Sequence, residues 1–77
     1  MTLYHFQMID PTGGRRVMKT VELGDMIAVW REIGALAFAN ASTGGQIRVI
    51  NESGGIVVLV GVSTAITLFP ALLARAA

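Results

Sequence analysis

Apolar and polar positions alternate near the start of the chain, shift to helical spacing in the middle, and give way to an unbroken apolar run after residue 55. From Leu3 to Ile9 the period of two predicts a strand. Tyr4, Phe6 and Met8 fall on its core face, with Leu3, His5, Gln7 and Ile9 opposite. Asp10-Pro11-Thr12-Gly13-Gly14 then breaks the pattern with residues suited to a tight reversal. Val17–Glu22, within Arg15 to Leu23, predicts a second, short strand in which Val17, Lys19 and Val21 alternate with Met18, Thr20 and Glu22. Asp25 to Ala41 is the principal helix. Asp25 suits its N-cap, and Met26, Trp30, Ile33 and Ala37 recur at helical spacing, flanked by Ile27, Val29, Leu36 and Phe38. Beyond the Asp25 cap only Arg31 and Glu32 carry charge within it, so its apolar arc is wider than one sheet-facing stripe requires. Gly44 is the expected left-handed residue beyond its end.

The second half predicts a hairpin. Gln46–Asn51 is a partly polar strand, Asn51-Glu52-Ser53-Gly54-Gly55 a turn, and Ile56–Val62 a strand with no residue left for a solvent face. The expectation is that something covers both sides of that last strand: the C-terminal segment or a second copy of the chain. Residues 63–77 leave two readings open. Thr67 caps a short helix with Pro70 in its first turn, or the strand continues towards Ile66 before the chain frays. No internal repeat is visible in the sequence.

Composition sharpens one point. Of the 77 residues 53% are hydrophobic and 14% charged, against about 25% charged in ordinary soluble domains. That leaves little polar material to coat a single small domain, and self-association is a remedy because a shared interface adds core without adding chain. A net charge of +1 is spread without basic or acidic blocks. The absence of cysteine excludes disulfides and thiolate chemistry. The opening MTLYHFQMID lacks the basic-then-apolar pattern of a signal peptide, so the reading places the chain in the cytoplasm.

Candidate chemistry is sparse. Ile56 to Ala74 runs without a charge for nearly the length of a membrane span, but β-branched residues, Gly61, Ser63-Thr64 and Pro70 favour strand plus helix over a spanning helix. His5, the single histidine, has no sequence neighbour that would make it a base or a metal ligand. Asp10, Glu22 and Asp25 match no calcium-loop spacing, and the glycine pairs at 13–14, 44–45 and 54–55 do not form a phosphate cradle. No catalytic, metal or cofactor site is predicted, and an enzyme is the class with least support. Three readings remain. The first is a non-catalytic homo-oligomeric interaction module with Trp30, Phe38, Val58 and Val60 as interface or core anchors. The second is a binder of nucleic acid or another polyanion through Arg15, Arg16, Lys19 and Arg48. The third is a membrane-associated chain using residues 56–74.

Tyr4-His5-Phe6, Asp10 at the first turn, VELGDMIAVWREIGALA and GQIRVINESGGIVVLV together carry a resemblance over residues 3–62. The chain resembles a family of short proteobacterial proteins that form a domain of unknown function. Glu22-Leu23-Gly24-Asp25 with Ala28 fits that family's helix start. Asn51-Glu52-Ser53-Gly54 fits its last turn, with asparagine in place of aspartate. The resemblance implies a β-β-α-β-β order and no activity. Fold class is therefore predicted as α+β: one domain with an antiparallel sheet of Leu3–Ile9, Val17–Glu22, Gln46–Asn51 and Ile56–Val62, and the helix across one face.

Overall fold

The strand predicted at the N-terminus forms β1 (Thr2–Ile9), one of the two central strands of an antiparallel sheet. The computed structural model describes residues 1–42 and 44–68. After β1 come β2 (Arg15–Leu23), the helix α1 (Met26–Ala39), β3 (Gln46–Asn51) and β4 (Ile56–Gly61), and residues 62–68 are helical. The sheet order is β2-β1-β3-β4, with every neighbouring pair antiparallel. The predicted α+β class and β-β-α-β-β order hold.

Helix α1 begins where Asp25, in an extended conformation, accepts the Ala28 N–H on Oδ1 at 2.8 Å. That bond satisfies one of the amides a helix start leaves open. The helix ends two residues before the expected Ala41, because Asn40 closes it by donating its own N–H to the carbonyls of Leu36 and Ala37. Its buried face is Val29, Ile33, Gly34 and Ala37. These meet Phe6 and Met8 of β1, Ile47 and Val49 of β3, and Val62 and Ala65 of the C-terminal helical segment. The core thus lies on one side of the sheet, between sheet and helices.

Two expectations are corrected. Val17 does not share a face with Lys19 and Val21. The register slips between Phe6 and Gln7, so that Phe6 faces Lys19 but Gln7 faces Val17. Met18 is the extra residue of this bulge and packs against the core, while Val17 turns to the other side and stays 59% exposed. β4 is an edge strand of the sheet, and within the described chain its Ile56 and Leu59 are 59% and 53% exposed. The other is that Val62 is not part of the strand: helix starts there, well before Thr67, whose hydroxyl instead donates to the Ser63 carbonyl at 3.1 Å. Val62 and Ala65 anchor this segment in the core, so it turns under the sheet instead of prolonging β4 towards Ile66. Pro70 lies outside the described residues.

The halves of the chain repeat one design that the residue identities conceal. Asp10 Oδ1 accepts the amides of Thr12 and Gly14, both at 2.9 Å, and Asn51 Oδ1 accepts those of Ser53 at 3.0 Å and Gly55 at 2.9 Å. In each turn the glycine at the fourth position has positive φ, 93° at Gly13 and 86° at Gly54, which a side chain would resist. These are three-residue hairpin loops, a type I turn followed by a left-handed glycine. With Asp10 matched to Asn51, Phe6 matches Ile47 and Met8 matches Val49, and all four are buried. Gln7 then matches Arg48, and these two face each other across the β1·β3 ladder. The two hairpins are thus matched about an approximate two-fold axis between Gln7 and Arg48, and the match stops short of the helices, since Val21–Leu23 are strand where residues 62–64 are helical.

Candidate functional site

The sheet has one face under the helices and one without them. The two helical segments bury Val29, Ile33, Ala37, Val62 and Ala65 in the core on the Phe6 and Met8 side. On the opposite side the register aligns Leu3, His5, Gln7 and Ile9 of β1 with Glu22, Thr20, Val17 and Arg15 of β2. It aligns the same strand with Ile50, Arg48 and Gln46 of β3, and these in turn with Ile56, Leu59 and Gly61 of β4. Among the described residues no further element lies on this face. Its centre is fixed by Arg48, whose Nε and a terminal nitrogen donate to Gln7 Oε1 at 2.8 and 2.7 Å. That neutral partner leaves the guanidinium's charge in place while holding the side chain flat across the sheet. His5 Nδ1 lies 3.1 Å from Thr20 Oγ1, so the histidine is a half-buried strand residue on this face.

The four cations chosen from the sequence are divided between the faces. Arg15 and Arg48 belong to the open face, whereas Arg16 and Lys19 pair with Met8 and Phe6 on the helix side. Lys19 Nζ is also bound to Glu32 of α1 at 2.5 Å, a pair that cancels its charge locally. Alternation along β2 separates side chains that are neighbours in sequence. Of the proposed anchors, Trp30, Val58 and Val60 pack half-buried against the core, and Phe38 is 52% exposed on α1. Leu59 and Ile56 were not singled out by sequence. A charge-free run gives no sign of which residues face water until its place in the sheet is known.

At the end of the first hairpin, Met8, Asp10, Gly14, Arg15 and Arg16 line a surface cavity of about 230 Å³. Asp10 in its wall is engaged by its own turn: the Thr12 hydroxyl donates to Oδ1 at 2.6 Å, along with the Thr12 and Gly14 amides. The Thr12 hydroxyl first, and then the Gly14 amide, hold its carboxyl below the usual carboxylate value. An oxygen already serving three donors is a turn element and poorly placed for catalysis. Among the described residues no three His, Cys, Asp or Glu side chains gather in a way that would hold a metal ion. Nor, among them, is any helix long and apolar enough to cross a membrane, since the first part of the apolar run, Ile56–Gly61, is strand. The remainder of that run, from residue 69, lies outside the described residues. Comparison with protein-family models, curated proteins and solved structures finds no match to this chain.

Proposed function

We propose that this chain is a small non-catalytic module that works by associating with further copies of itself. The observation that carries the reading is the one-sided sheet. Half of the residues are hydrophobic and few are charged, yet the described helices cover a single face, and Val17, Ile56 and Leu59 stand exposed beyond it. Large aliphatic side chains left in water are a standing cost of roughly 1.5–3 kcal/mol each relative to burial, and association removes it. The resemblance to the proteobacterial family of unknown function adds a shared strand-turn-helix pattern and no chemistry. Light scattering on the full chain at micromolar concentration tests the proposal. A mass at least twice the 8.1 kDa of one chain is expected, and a mass of one chain throughout would refute it.

The polyanion reading keeps a narrower basis, Arg15 and Arg48 on the open face. Two cations with an uncharged glutamine between them are a weak footprint for a phosphate backbone. Titration with single- and double-stranded nucleic acid at low salt separates the two, with no binding expected.

A further inference from the structure

The approximate two-fold axis makes β2 and β4 equivalent edges of one sheet, and the chain treats them oppositely. With Asp10 matched to Asn51, Arg15, Arg16 and Lys19 on β2 correspond to Ile56, Val57 and Val60 on β4. The β2 edge therefore carries charge and a bulge near its middle, two devices that discourage strand addition. Ile56 to Gly61 carries no charge, and its one register slip lies next to the turn. Among the described residues no strand pairs with its outer side.

The backbone of β4 is set for addition. Val62 donates its N–H to the Gly45 carbonyl at 2.9 Å. Amide and carbonyl groups of alternate residues point to opposite edges of an antiparallel strand, so those of Val58 and Val60 serve β3 while those of Leu59 and Gly61 point outward. A second β4 laid antiparallel with Leu59 against Leu59 of the other copy exchanges two backbone hydrogen bonds on the axis. In that register Val58 faces Val60 of the second copy on the helix side, and the two leucines meet on the open face. The cores then join into one layer.

Resting on the self-association reading above, we infer that β4 is the seam of a two-fold dimer, with Leu59 on its axis and an eight-stranded sheet as the product. The occupant is a second copy because of charge. Any charged residue near a two-fold axis meets its own kind, so an isologous seam must be uncharged there. β4 meets that condition, and β2, with Arg15 and Arg16, does not.

The test uses the absence of native cysteine. In a hydrogen-bonded antiparallel pair the Cα atoms lie about 5.5 Å apart, within the window of about 4.4–6.8 Å that a disulfide requires. L59C should cross-link to its copy under mild oxidation at least tenfold faster than V17C, an equally exposed position on the charged edge. L59K, which sets two ammonium groups together on the axis, should halve the mass seen by light scattering while the far-ultraviolet circular dichroism stays unchanged. If the wild type is oligomeric but L59C cross-links no faster than V17C and L59K leaves the mass intact, the seam is wrong and self-association stands. A monomeric wild type overturns both. In that case slow hydrogen exchange at the Leu59 amide would assign the edge to the chain's own residues after 68, and fast exchange would leave it open.

Discussion

Replacing Gly45 by alanine tests the joint between the two halves. A Cβ at this position would lie 2.0 Å from the Ile9 carbonyl oxygen, 3.0 Å from its carbon and 3.1 Å from Asp10 Cα. A carbon and a carbonyl oxygen need about 3.3 Å, so the end of β1 and the start of β3 must part by roughly 1 Å. Every obstructing atom is backbone, so no side chain can swing aside, and the Val62–Gly45 hydrogen bond moves with the displaced strand. Overpacking relieved by side-chain shifts costs about 1–3 kcal/mol, and a forced backbone shift belongs at or above the top of that range. A chain of this size has roughly 4–12 kcal/mol in total, at about 0.05–0.15 per residue. At about 4–8 °C per kcal/mol for small domains, G45A should lower Tm by roughly 12–24 °C. The matched control is G24A, where nothing lies within 4 Å of the added carbon. Restricting the unfolded chain should make that variant neutral or about 0.4–1 kcal/mol more stable. Thermal and urea unfolding followed by Trp30 fluorescence, at one protein concentration throughout, measure both. Unfolding of G45A at the wild-type midpoint, or an equal loss in G24A, would refute the steric argument.

Two further outcomes follow from the core and from the first turn. Ile33 is fully buried and Val17 is 59% exposed, so I33A should cost about 2–5 kcal/mol and V17A about 0.5 kcal/mol or less, read from the same urea curves. The folded state holds the Asp10 carboxyl below its ordinary value of 3.8, so the turn's contribution is complete above that value and drains away as pH falls through the depressed folded one. D10N, which copies the neutral Asn51 turn, should flatten the acid side of a stability-pH profile, and an unchanged acid slope would remove Asp10 as its source.

What could be read from the residues was whatever local chemistry decides. Period-two alternation placed Tyr4, Phe6 and Met8 inward, Asp25 marked the helix start, and the two Asx-to-glycine turns marked the hairpins. What could not be read depended on partners far along the chain. The bulge at Met18 exists only in relation to β1, and it reverses Val17 against Lys19 without leaving a mark in the alternation. The edge position of β4 is equally silent, because IVVLV suits a central strand as well as a rim. The repeat was hidden because only the turns and the inward side chains preserve it, and aspartate against asparagine or phenylalanine against isoleucine looks like no match at all. The candidate cations were correctly identified as cations, but their division between faces needed the register.

The ladder between β1 and β3 carries a consequence for how this chain comes to exist as a domain. Each hairpin closes locally, but the Gln7–Arg48 region unites segments from opposite halves. Units of about 40 residues sit at the limit below which a lone apolar cluster seldom outweighs chain entropy. Neither half would hold its shape if the peptide were severed between α1 and β3, and mixing the two pieces would make assembly depend on their concentration. The tether between them supplies that concentration permanently, turning what would be an encounter of strangers into a single cooperative event.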